Sequence, residues 1–142
     1  MKMYYVIPII LIVLVLLLIG GCVSVGQLLD GDGMENSYSM ISQEEAKKMM
    51  QVDDGHIIVD VRRQDEFDED HIPGAICIPN ESISDTQPAE LPDLNQVILV
   101  YCRSGNRSKE AAQKLFDMGY THVFEFGGII YWIGETVKSE GV

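Results

Sequence analysis

Apolar positions divide the chain into a continuous leader and a patterned body. From Met3 to Ile19, 16 of 17 residues are apolar, Pro8 being the exception. Past Tyr38 the apolar positions recur in short, spaced groups. Ser42 followed by Glu45 is a capping-box pattern and predicts a short helix through about Met50, with Ala46, Met49 and Met50 as its buried stripe. His56–Val61 is apolar and rich in β-branched residues, as in a buried strand of a parallel sheet. Ala75–Ile78 reads as a shorter strand stopped by Pro79, Val97–Tyr101 as a third and Val123–Phe126 as a fourth. A helix is predicted from near Asn106 to Met118, with Ala111, Ala112, Leu115 and Phe116 apolar and Gly119 as its stop. Ile129–Val137 reads as a closing helix. Strands alternating with helices predict an α/β fold, a parallel β-sheet core with helices on both faces.

The leader bears on location. Lys2 supplies a positive start, and the apolar run as a helix is roughly 24 Å long. It ends in Ile19-Gly20-Gly21, directly before Cys22. That pattern reads as a secretory signal. The four residues ending at Cys22 also resemble a bacterial lipoprotein lipobox, which implies lipidation of Cys22. An uncleaved anchor reaching past Cys22 is the alternative, since no charged residue occurs between Lys2 and Asp30. Residues 1–21 are therefore expected to be a signal peptide or membrane anchor, 22–38 a flexible tether, and 39–142 the domain. Positive charge before the span and acid after it predict a domain facing outside the cytoplasm, at the envelope membrane.

Composition narrows the chemistry. The 142 residues leave room for one core. A net charge of −12, from 10 Lys+Arg against 22 Asp+Glu, repels phosphate backbones and argues against nucleic acid as a partner. Cys22, Cys77 and Cys102 form no C-x-x-C pair, and His56, His71 and His122 lie far apart, so no metal-site spacing is present and no cofactor is implied. The acidic run Asp65, Glu66, Asp68, Glu69 and Asp70 lacks a calcium-loop pattern and reads as a solvated helix face.

One segment carries chemistry. Strand Val97–Tyr101 runs into Cys102-Arg103-Ser104-Gly105-Asn106-Arg107-Ser108, and a helix follows. A cysteine there meets the unpaired amides of the helix start, which favour the thiolate. Gly105 lets the loop bend so that successive amides point inward. The chain has only four arginines, and Arg103 and Arg107 are both in this loop, forming an expected anion trap. A cysteine alone is more often a small buried hydrophobe; strand, cysteine, glycine and two arginines together favour a nucleophile.

These residues resemble the active-site loop of the rhodanese sulfurtransferases. Asp60-Val61-Arg62, then Glu66-Phe67, then His71-Ile72-Pro73-Gly74-Ala75 are similar to that family's D-V-R…E-F…H-I-P-G-A signature. Gly127-Gly128-Ile129 with Trp132 resembles its closing segment. The resemblance implies a single rhodanese-like domain in which Cys102 takes sulfane sulfur from a donor such as thiosulfate. The Cys102 persulfide would then pass it to cyanide, a thiol or a protein acceptor. Loop amides from Arg103 to Arg107 would hold the anion, and Arg103 and Arg107 the sulfonate end of the donor. Cysteine phosphatases use C-x5-R; here Arg107 is the fifth residue after Cys102 and Ser108 the sixth, which favours sulfur over phosphate or arsenate. The resemblance makes Asp60, Arg62 and His71 structural residues near the site, and Trp132 reads as core.

Two positions depart from the family pattern. Asp70 stands where glycine is usual before the histidine, and Cys77 where asparagine is common. Cys77 is expected to pack in its strand, or else to act as a resolving thiol for Cys102. The readings left open beside the enzyme are a non-catalytic binding module and a thiol redox protein using both cysteines.

Overall fold

The computed structural model describes residues 37–139. The leader, Cys22 and nearly all of the predicted tether lie outside them. Among the described residues no helix is long and apolar enough to cross a membrane.

Five strands form one wholly parallel sheet: β1 (Ser39–Met40), β2 (Ile57–Asp60), β3 (Ala75–Cys77), β4 (Val97–Cys102) and β5 (His122–Gly128), in the order β1-β5-β4-β2-β3. Among the described residues three α-helices accompany it: α1 (Gln43–Met49), α2 (Gln64–Glu69) and α3 (Asn106–Asp117). The period of two along each strand sorts side chains onto two faces. Ile98, Val100 and Cys102 of β4 join Val59 and Val123 under Ala111, Ala112 and Leu115 of α3. Leu99 and Tyr101 join Ile58 and Phe126 on the opposite face, against Ala46 of α1. All five consecutive residues from Ile98 to Cys102 are at most 1 % exposed, because this strand is covered on both sides.

α1 begins as its sequence dictates. The Glu45 amide donates to Ser42 Oγ at 3.2 Å, and Glu45 Oε2 accepts from the Ser42 amide at 2.8 Å. Tyr38, the last residue of the predicted tether, packs against the α3 side of the core.

Three expectations change. β1, a two-residue strand, was not foreseen; its side chains are exposed and carry no apolar alternation, and only pairing with β5 makes it a strand. β5 runs on to Gly128 through a bulge that advances the register from Val100↔Glu125 to Cys102↔Gly128, with Gly127 at φ +91°. The predicted closing helix over Ile129–Val137 is a single 3-10 turn, Ile129–Tyr131, followed by irregular chain. The helix cannot continue because Val137 exchanges both backbone hydrogen bonds with His71, at 2.8 and 2.9 Å. As a result Ile130, Tyr131 and Ile133 stand 53 %, 67 % and 84 % exposed.

Candidate active site

The buried strand β4 ends on Cys102, and the chain turns through Arg103, Ser104 and Gly105 into α3. Gly105 occupies the position before α3 at φ +106°, a left-handed conformation that costs glycine least. That turn aims the Gly105 N–H at Cys102 Sγ, which accepts it at 3.1 Å. Ser108 Oγ, one turn into α3, lies 3.4 Å from the same sulfur. Burial pushes the Cys102 thiol up, but hydrogen bonding from the Ser108 hydroxyl and from the amides of Ser108, Gly105 and Ser104 outweighs it. The thiol therefore ionises below its ordinary value.

The glycine pair that ends β5 braces this loop. A Cβ at Gly128 would collide with the Arg103 carbonyl and Ser104 Cα, so only glycine lets the two backbones touch. Gln43 Nε2 donates to the Gly128 carbonyl at 2.8 Å, and the Ile130 amide to the Arg103 carbonyl at 3.3 Å.

Beside the loop lies an open cleft of about 560 Å³ lined by all four arginines, with Glu66, Glu69, Asp70, Ile129 and Ile130. Arg62 spans the buried Asp60 carboxylate through Nε at 3.0 Å and a terminal nitrogen at 2.8 Å, and reaches Asp70 at 3.3 Å. Asp60 is wholly buried; removing its partner would leave a lone charge inside, at a cost of about 3–5 kcal/mol. Arg63 pairs with Asp65 at 2.8 Å. Arg107 pairs with both oxygens of Glu66 at 2.7 and 2.9 Å. Among the described residues Arg103 alone of the four has no acidic partner.

Residues 42–135, about two thirds of the chain, match the family of the rhodanese-like domain. The chain belongs to that family. It is 38 % identical over 71 residues to thiosulfate sulfurtransferase PspE of Escherichia coli, covering 50 % of this chain and 68 % of PspE. It is 32 % identical over 96 residues to thiosulfate sulfurtransferase GlpE of Pseudomonas syringae, covering 67 % and 87 %. Adenylyltransferase and sulfurtransferase UBA4 of Meyerozyma guilliermondii is 38 % identical over 91 residues, 59 % of this chain but only 22 % of that longer protein. Among solved structures, a rhodanese with anions from E. coli superposes with a TM-score of 0.55 at 34 % identity, over 59 % of this chain and 99 % of that one.

Within this rhodanese-like domain, Cys102, Ser104, Gly105, Asn106 and Ser108 form one loop and helix start. The anion trap expected of Arg103 and Arg107 is halved, because Glu66 already holds Arg107. The acidic run is likewise more than a solvated face, since Glu66, Asp65 and Asp70 each engage an arginine. His71 lies outside the cleft lining; its Nδ1 meets the Phe67 carbonyl at 2.8 Å and its ring stacks on Phe67 at 3.8 Å. Trp132 packs on Phe126 with ring centroids 5.9 Å apart.

Cys77 cannot resolve Cys102. β2 lies between β3 and β4, so two strand spacings, about 10 Å, separate the two backbones. A disulfide needs Cα atoms within about 7 Å. Cys77 is also in register with Asp60, and Asp60 with Tyr101, which places Cys77 on the face opposite Cys102. Burial first, then Asp60, push its thiol up to about 11. Glu125 went unnoticed in the sequence, although a lone acid inside the apolar strand Val123–Phe126 was the available signal. It is 3 % exposed and accepts from the Gly127 amide at 2.8 Å.

Proposed function

We propose that the protein is a sulfurtransferase in which Cys102 carries sulfane sulfur as a persulfide. The observation that carries this is Cys102 Sγ at the end of β4, with the Gly105 amide at 3.1 Å and an arginine-lined cleft beside the loop. The thiolate attacks the outer sulfur of a donor such as thiosulfate. The donor's S–S bond breaks, and sulfite leaves with the electron pair. The persulfide, held by the loop amides, is then attacked at its outer sulfur by cyanide or a thiolate, which regenerates the Cys102 thiolate. Arg103, without an acidic partner among the described residues, meets the sulfonate end of the donor.

Support comes from the relatives named thiosulfate sulfurtransferase and from the spacing of Arg107, which falls short of a phosphate loop. The UBA4 relatives are sulfurtransferases by name as well. An open cleft rimmed by Ile130 is compatible with a protein acceptor. The apolar run Met3–Ile19 favours action at a membrane surface, outside the cytoplasm, with Cys22 as the lipidated residue or part of an uncleaved anchor.

The test is intact mass after thiosulfate treatment, beside Cys102→Ala. The expected result is a gain of one sulfur, removed by cyanide and absent from the variant. No gain on a reduced Cys102 would overturn the proposal in favour of a binding module.

A further inference from the structure

The sulfur transfer described above leaves one buried carboxylate without a role. Glu125 Oε1 lies 2.6 Å from Ser108 Oγ. The same hydroxyl lies 3.4 Å from Cys102 Sγ, 3.1 Å from the Gly105 carbonyl and 3.4 Å from the Gly127 carbonyl. A serine has one proton to give. Among these acceptors the carboxylate oxygen is the nearest, so Glu125 competes with Cys102 for that proton. While the hydroxyl turns to Glu125, sulfur faces the lone pairs of Ser108 Oγ. A neutral thiol is satisfied there, because it donates S–H to that oxygen. A thiolate is not, and the Ser108 hydroxyl can support it only by turning away from Glu125.

We infer that Glu125 is a positioning residue that sets the charge state of Cys102 by competing for the single proton of Ser108. The inference deepens the reading of Cys102 as the sulfur carrier and rests on it. Two ionisations share this network. If the Cys102 proton passes to Ser108 Oγ while the Ser108 proton passes to Glu125, the products are a thiolate, an intact hydroxyl facing it, and a neutral carboxyl. If Cys102 instead loses its proton to solvent while Glu125 stays charged, two negative charges lie no more than about 6 Å apart along the bonded path. At an effective dielectric near 20, that repulsion opposes loss of the Cys102 proton about a hundredfold. The loop amides still favour the thiolate; Glu125 limits how far.

The other charged and titratable groups around the pair do not change this. Lys109 of α3 lines the same recess as Glu125. Arg107 acts on Cys102 and is itself raised by Glu66. Tyr38, ahead of β1, is pushed above its ordinary value by burial and then by Glu125, and stays neutral. α1 presents only the uncharged Gln43 to this recess.

The experiment is the pH dependence of thiolate formation in Glu125→Gln, read by ultraviolet absorbance and by the rate of Cys102 alkylation without any donor. The expected result is a thiolate titration about two pH units lower than in the unsubstituted protein, with faster alkylation under mildly acidic conditions. A folded variant whose titration does not move overturns the inference. Should the variant fail to fold, the carboxyl carbon of Glu125 in the unsubstituted protein decides, followed by NMR before and after Cys102→Ser. Coupled sites lose the second inflection when the thiol is removed, whereas an unchanged curve overturns the inference. Thiosulfate mass gain is measured separately. A shift without sulfur gain would overturn the sulfurtransferase reading alone, and gain without a shift would overturn the role of Glu125 alone.

Discussion

Replacing Glu66 with glutamine tests how the cleft manages its arginines. In the folded protein the Arg107 hydrogen bond holds the Glu66 carboxyl down to about 2, from an ordinary 4.5. Taken in full, that depression corresponds to about 3 kcal/mol. Both side chains keep contact with water, Glu66 at 19 % exposure and Arg107 at 27 %, so screening reduces the contribution to about 1–2 kcal/mol. The folded-state value is the lower one, so this stability is present above about pH 4.5 and is lost as pH falls toward 2. Urea unfolding of Glu66→Gln should therefore show a deficit of about 1–2 kcal/mol near pH 7, shrinking to less than half near pH 3. The substitution also frees Arg107 and removes one negative charge from the cleft wall. The KM for thiosulfate, a dianion, should fall by about three- to tenfold. A deficit equal at both pH values would refute the electrostatic account of the pair. A KM that rises would refute the view that Glu66 withholds Arg107 from the donor.

Two further outcomes follow from packing and topology. Gly128→Ala places a methyl group against the Arg103 carbonyl and Ser104 Cα, so thermal or urea unfolding should show a loss of about 1–3 kcal/mol, and the displaced loop should slow alkylation of Cys102. Oxidation of the described domain should give sulfenic or intermolecular products at Cys102 but no Cys77–Cys102 bridge; an intact monomer two hydrogens lighter, with both thiols blocked, would refute the strand order.

The local signals in this chain are strong where one residue meets its own neighbours. Ser42 and Glu45 specify the start of α1 within three residues, and the apolar run before Cys102 can be read as a buried strand whichever strands flank it. The loop from Cys102 to Ser108 was legible for the same reason, since a strand, a glycine and a helix start act within one turn. What sequence could not supply were relations between segments far apart along the chain. β1 exists because β5 offers it an edge, and the segment after Tyr131 stays irregular because His71, 66 residues earlier, takes the hydrogen bonds of Val137. The same limit governs the site. Arg107 looked like a free cation until folding brought Glu66 to it across 41 residues, and Cys77 looked like a partner for Cys102 until β2 came between them. Ion pairing and strand order depend on distances in space, which local periodicity does not encode. Sequence by itself therefore determined most of the elements and the loop from Cys102 to Ser108, while only the tertiary structure decided which charges in the cleft are paired.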